Sequence, residues 1–451
     1  MECDHQLAGD PRRAVNERLA LLFRRAVYNL RGGFLVRPLI IALALGAAGA
    51  VVSWTEEEVP AISGWVPAIL FPSRADPQIA QVILSAIATS IMTVVSIVFA
   101  ILLMTLTLAS MQFSPRIILS FTRNRVTQWT LGVFLGTFLY CVAALPAARS
   151  QPTPFSPVVT VLGAILLALA CVCWLLFFIH HVSQSISVNQ IVDKIAAETE
   201  AVIDEMMPSL RRHNFVKHHE PRGQHSEFAI LSNRSGYIRF VDLKRLLVLA
   251  TSYRISVQVL RRVGHFVPAN VPIMSVSKPE RLPPEGTAML LGAFDLGPSR
   301  TLQQDVEFGV LQIVDIALRA ISPAVNDPST AVSCVDQLSR VLIQFAAREP
   351  PEPVLYDRPG VARVSIEWIG FERLLDSAFE QIRLYSQSDV AVSLRMLRAL
   401  GDIARTTADP QLRRTLAERG RRVFAGCATR LGEEELREMR SRLGALQSLV
   451  A

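Results

Sequence analysis

Residues 77–115 read PQIAQVILSAIATSIMTVVSIVFAILLMTLTLASMQFSP, and no Asp, Glu, Lys or Arg occurs between Asp76 and Arg116. As a helix rising 1.5 Å per residue the stretch would reach about 58 Å, enough to cross a hydrocarbon core of about 30 Å and project beyond it. This run decides the class: an α-helical integral membrane protein. Outward from it, apolar runs bounded by charge give four predicted spans: Pro38 to Trp54, Ile79 to Met104 within the long run, Gln128 to Leu145, and Pro157 to Ile179. The first is near the short limit, but Pro38 suits a first helical position and Arg37 can snorkel. The long Arg-containing segment before it is wrong for a secretory n-region.

Arginines set the expected orientation. The N-terminal tail carries Arg12, Arg13, Arg18, Arg24, Arg25 and Arg31, and the loop after the second span carries Arg116, Arg123 and Arg125. The opposite loops hold only Arg74 and Arg149. By the positive-inside rule both termini are predicted cytoplasmic, at the bacterial inner membrane, with four crossings.

Composition fits two halves. Of 451 residues 51% are hydrophobic and 19% charged, and the apolar weight sits in the first part of the chain. The net charge of +7 reads as topogenic and lipid-facing, since no basic stripe with interleaved aromatics points to nucleic acid. Cys3, Cys141, Cys171, Cys173, Cys334 and Cys427 form no Cys-x-x-Cys pair, which indicates neither a disulfide framework nor a zinc site. No cofactor, metal or catalytic residue is expected; the expected partners are the lipid bilayer and further copies of the chain.

Within the second span Ser85, Thr89, Thr93 and Ser96 fall on one helical face. That face suits pore lining, or helix packing with each hydroxyl bonded to its own backbone. Small residues form seams at Ala42, Gly46 and Ala50 and at Gly132 and Gly136, which suit a compact bundle or an oligomer. The spans lack the midplane acid or base typical of coupled carriers. His180 and His181 close the fourth span as a headgroup-level, pH-sensing or metal-binding pair.

After that span, Val188, Val192, Ile195, Thr199, Val202 and Met206 make a heptad-like seam, predicting a helix continuous with the fourth span to about Met207. It would pair with a neighbouring subunit or with its own chain. Arg211 to His225 is read as a basic linker containing His213, His218, His219 and His225. The expected division is a tail over 1–32, a four-helix transmembrane domain over 33–183, the amphipathic helix and linker over 184–226, a small β-rich cytoplasmic module over 227–278, and a cytoplasmic helical domain over 299–451, with a boundary at Pro279 to Pro298. Strands are predicted at Phe228 to Leu231, Tyr237 to Val241 and Ile255 to Val259, and a helix capped by Asp242. Helices are predicted near Leu302 to Ile321, Pro328 to Ala347, Trp368 to Tyr385, Val390 to Thr406, Gln411 to Ala425 and Glu433 to Leu449, packed as a bundle.

The segment Ser322-Pro-Ala-Val-Asn326-Asp327-Pro328 reads as a helix–turn–helix corner, Asp327 capping and Pro328 opening the second helix. The alternative is a ligand or ion site in which Asn326 and Asp327 join Arg300 and Asp305. Three segments, Gln112-Phe-Ser-Pro-Arg116, Arg300-Thr-Leu-Gln-Gln-Asp305 with Phe308-Gly309, and Ala317 to Ala331, resemble the bacterial predicted membrane proteins of domain of unknown function 2254. The resemblance implies an inner-membrane protein with N-terminal spans and a cytoplasmic C-terminal region, and no established activity. Ala324 stands where the family's corner has glycine, so a positive φ there would strain it.

Two readings of function remain open: a homo-oligomeric channel-like protein with a cytoplasmic regulatory domain, or a membrane-anchored sensor or scaffold whose cytoplasmic domain binds a partner or small ligand. An enzyme acting on lipid is a third, without support from a Walker loop, Gly-x-Gly-x-x-Gly, His-Glu-x-x-His or Gly-x-Ser-x-Gly, so no enzyme is expected.

Overall fold

The computed structural model describes residues 36–59, 76–112, 125–149, 155–185, 187–207, 210, 228–358 and 360–449. The basic tail, the His-rich linker and the Phe113 to Arg116 part of the family-like segment lie outside the described residues. The chain divides into two compact units that meet in sequence at Ile186 and Ser187.

The first unit is built from α1 (Val36–Glu58), α2 (Pro77–Gln112), α3 (Arg125–Ala144) and α4 (Val158–Ser185). All four are long and apolar enough to cross a membrane, and α3 is the central one, half of its apolar window being buried against 17–22% for the others. Its outward surface is apolar, with Leu39, Leu43, Trp54, Leu166, Leu176 and Phe177 all more than half exposed. Such a surface suits lipid rather than water.

The glycine seams are consumed inside this unit. A methyl group on Gly132 would meet the Ile41 side chain at 2.9–3.0 Å, one on Gly46 would meet Leu139 Cβ at 3.1 Å, and Gly136 lies against Leu45. Gly49, rather than the expected Ala50, is the buried member and lies against Tyr140, while Ala50 is exposed. Positions rise together along both helices, so α1 and α3 run parallel, as alternating crossings require.

The first apolar helix runs further than predicted: α1 continues past Trp54 to Glu58 and buries Glu56 near its carboxyl end. The Glu56 carboxylate accepts from Val159 N (2.8 Å), Thr160 N (3.0 Å) and Thr160 Oγ1 (2.9 Å). It thereby caps the amino end of α4 from another helix, where the helix dipole favours an anion. Beside it Glu57 pairs with Arg149.

The second unit opens with α5 (Val188–Met206), a separate helix rather than a continuation of α4, entered through Ser187 in an extended conformation. Its seam buries Val192, Ile195, Thr199 and Val202 within its own unit. Across from it, Arg340 bonds Asp193 at 2.8 Å and Glu200 at 2.5 Å, and Arg348 bonds Asp204. These partners lie on α9 and just after it, so the seam is satisfied within one chain.

Next come β1 (Phe228–Leu231), β2 (Gly236–Val241), α6 (Leu243–Ser252), β3 (Val257–Val259), β4 (Phe266–Val267), β5 (Pro272–Val276), α7 (Pro284–Leu291), β6 (Phe294–Gly297), α8 (Val306–Ala320), α9 (Pro328–Ala347), β7 (Val354–Tyr356), β8 (Ala362–Ile366), α10 (Phe371–Tyr385), α11 (Val390–Thr406), α12 (Pro410–Cys427) and α13 (Glu433–Gln447). One sheet has the order β1-β5-β3-β8-β7, with only the β3/β8 pair parallel, and the other the antiparallel order β4-β2-β6. Both share a core with α6 around Ile238, Leu246, Ile273, Met274, Val364 and Ile366.

The sheets therefore reach across the expected boundary. The Pro279 to Pro298 segment supplies α7 and β6, and β7 and β8 come from between helices that read as one bundle. Five helices are opened in the same way: Asp242, Asp305, Asp327, Asp389 and Asp409 each accept from a first-turn N–H at 2.9–3.1 Å. Such caps contribute about 1 kcal/mol each.

Candidate functional site

The four hydroxyls singled out on α2 are engaged along their own helix. Ser85 Oγ donates to Val82 O (3.0 Å), Thr89 to Ser85 O (2.9 Å), Thr93 to Thr89 O (3.1 Å) and Ser96 to Met92 O (3.0 Å). All four side chains are exposed, on the face opposite the buried Ala80, Leu84, Ala88 and Ile91.

In the second unit, Arg300 and Asp305 do come together. Arg300 donates Nε to Asp305 Oδ2 and a terminal nitrogen to Oδ1, both at 2.8 Å, while Oδ1 also caps α8 by accepting from Phe308 N. Arg300 also lies over the Phe308 ring, 5.5 Å from its centroid. Gly309, next in the motif, is packed against Thr199 of α5, with no room for a methyl group.

Asn326 and Asp327 are elsewhere. Asp327 accepts from Thr330 N (3.1 Å) and Thr330 Oγ1 (2.6 Å), and its own N–H donates to Ala320 O at the carboxyl end of α8. The fifteen residues of α8, about 22 Å of helix, separate this corner from Arg300 and Asp305, so the four residues do not form one site. Nor is Ala324 strained: the left-handed residue of the corner is Asn326, at φ 48°, a conformation asparagine tolerates.

What gathers at the foot of α8 is a cluster centred on Glu307. Its Oε2 accepts from Arg262 (3.1 Å) and Arg300 (3.3 Å), and its Oε1 from Ser377 Oγ (3.0 Å), with Arg373 Nε at 3.6 Å. Arg262, almost fully buried, also donates Nε to His265 Nε2 at 3.0 Å. Four pieces of chain are thus tied together: the β3–β4 loop, the β6–α8 connection, α8 and α10. Gly264, at φ +87°, brings its backbone against Arg300 and Asp305, where a side chain would collide.

The charges tune one another. Burial works against ionisation of Glu307, but Arg262, the Ser377 hydroxyl and Arg300 outweigh it and hold the carboxyl below its ordinary range. Burial, then Arg262, Arg373 and Arg261, push His265 down against the opposing pull of Glu307. Each carboxylate oxygen of Asp305 and Glu307 already accepts a bond, which leaves little to offer a metal, and among the described residues no group of three His, Cys, Asp or Glu side chains is arranged to hold one.

Sequence reading missed Arg262, His265, Glu307 and Ser377. Glu307 lay two positions beyond Asp305 in a segment already singled out, and the Gly264-His265 step marked a turn whose partners are distant in sequence.

Beside the cluster an open groove of about 680 Å³ runs between the ends of α9, α10 and α12. Phe345, Phe371 and Leu412 give it apolar walls, and Arg348, Arg373 and Gln411 polar ones. Arg373 belongs to both features.

The profile of the family described as "Predicted membrane protein", domain of unknown function 2254, matches residues 31–402. The chain belongs to this family. Similar curated proteins include uncharacterized proteins of Mycobacterium bovis and Mycobacterium tuberculosis, each 31% identical over 399 residues, covering 86% of this chain and 75% of theirs. No solved structure matches. The family match spans all four apolar helices, the cluster around Glu307 and the Asp327 corner, while α12 and α13 lie beyond it.

Proposed function

We propose that this family member is a bacterial inner-membrane sensor or scaffold: its four apolar helices hold, with both termini in the cytoplasm, a domain that binds a small ligand or a partner. The role is non-catalytic. The observation that carries this reading is the groove between α9, α10 and α12, which is of ligand size, mixed apolar and charged lining, and joined through Arg373 to a buried charge cluster. The polar groups singled out in the apolar helices, by contrast, are satisfied within one chain, as expected of an anchor.

The full-length protein in nanodiscs, screened against a metabolite library by thermal shift, tests it. A compound at a hundred times its Kd stabilises by about 2.7 kcal/mol. The shift should vanish in Gln411→Trp, which fills the groove from an exposed position; a shift that persists there, or a screen without hits, goes against the proposal.

A second reading, a homo-oligomeric channel, is favoured by one observation, the exposure of Ser85, Thr89, Thr93 and Ser96 on the outer face of α2. In a ring of copies that face would line the axis. The reading predicts ion or small-solute flux into proteoliposomes, lost when Ser85, Thr89 and Thr93 are all replaced by Leu; liposomes without flux under voltage, tension or osmotic shock argue against it.

A further inference from the structure

Arginine carries only donors, so the imidazole nitrogen facing Arg262 Nε at 3.0 Å must present a lone pair. His265 is thus held neutral, with its proton on Nδ1. Protonation would set two donors and two positive charges against each other in a partly buried place. The groups facing the ring are Arg261 and Arg262 from its own loop, Glu307 from α8 and Arg373 from α10; three of the four are cationic, and the carboxylate is already shared between Arg262, Arg300 and Ser377.

The contact joins two residues of the loop and sets the Arg262 side chain, which is the loop's tie to α8. Between β3 and β4 it is fixed by Gly264 N to Ile238 O (2.8 Å), Ile238 N to His265 O (3.0 Å) and His265 N to Arg262 O (3.2 Å) on the sheet side. On the helix side its hold runs through Arg262 to Glu307.

We propose that Arg262 and His265 form a proton-sensitive latch: protonating His265 breaks its bond to Arg262, frees that guanidinium from its set position on Glu307 and so loosens the β3–β4 loop from the foot of α8. The latch does not depend on what the groove binds. It is closed at neutral pH and opens below the ordinary imidazole range, because the surrounding cations and burial oppose the charged ring.

Hydrogen–deuterium exchange of the full-length protein in nanodiscs at pH 7.5 and 5.5, corrected for the intrinsic pH dependence of exchange, reads the latch. Peptides covering residues 258–268 should lose protection several-fold in wild type at the lower pH. In His265→Gln, whose amide oxygen accepts from Arg262 without titrating, they should not. Arg373→Gln, a change at an exposed position, removes a facing cation and should move the opening to higher pH. Wild-type protection that is indifferent to pH, an equal loss in His265→Gln, or an opening unmoved in Arg373→Gln overturns the proposal.

Discussion

Asp305 serves twice with one carboxylate, pairing a mostly buried Arg300 and capping α8. Removing it leaves Arg300 only its longer bond to Glu307 and uncaps α8, so Asp305→Ala should cost about 2–4 kcal/mol in denaturant unfolding of the purified protein, whereas a cap alone would account for about 1 kcal/mol. At the far end of α8 the demand is conformational. Asn326 at φ 48° should tolerate Gly, while Asn326→Val, β-branched in the left-handed region, should lower stability by about 1–2 kcal/mol in the same assay. How much of this was legible differs residue by residue. Asp327 before Pro328 announces a cap from two adjacent letters, and Asp305 was visible through its motif. The αL position lies at Asn326, two residues after the Ala324 at which the resemblance raised a positive φ, because a glycine expected by resemblance says nothing about which neighbour turns. Arg262 meets Glu307 only after some forty residues of chain have folded back, a distance no local pattern encodes.

Elements with a strong period were read from the sequence with bounds close to those observed: Pro328–Ala347 and Val390–Thr406 agree end to end, as periodic apolar stripes between an Asp cap and a charged exit should. The strands β7 and β8 escaped because each is short and lies between helices, although Asp357 and Gly360 (φ +84°) mark the hairpin that joins them. Parallel pairing of β3 with β8 joins residues about a hundred positions apart, which alternation alone cannot foretell. In the apolar unit, the Gly-x-x-x-Gly of α3 signalled close approach but not its partner, α1. With Leu45 packed on Gly136, Gly136→Val should force the helices apart and lower stability by about 1–3 kcal/mol, measured as a fall in the thermal transition of the detergent-solubilised protein; Ala50→Val, at an exposed position of α1, should leave it unchanged.

For the whole molecule, two acid-sensitive windows are separable. His265, held below its ordinary 6.5, contributes stability that is complete above that value and drains away as pH falls toward its folded value. Glu307, held below its ordinary 4.5, keeps its contribution until pH drops under that carboxylate value, then loses it through its own lowered one. A pH titration of the unfolding midpoint should therefore show two declines, and Glu307→Gln should make the lower one shallower without removing it, because Asp327 and Glu380 are held low as well. The cap that Glu56 places on α4 bears on biosynthesis. The first of the four apolar helices to leave the ribosome carries an acid whose hydrogen-bond donors belong to the last of them, so Glu56 stays solvated until Val159 and Thr160 arrive. A nascent chain halted after α3 would leave that acid without its donors at the rim of an unfinished bundle.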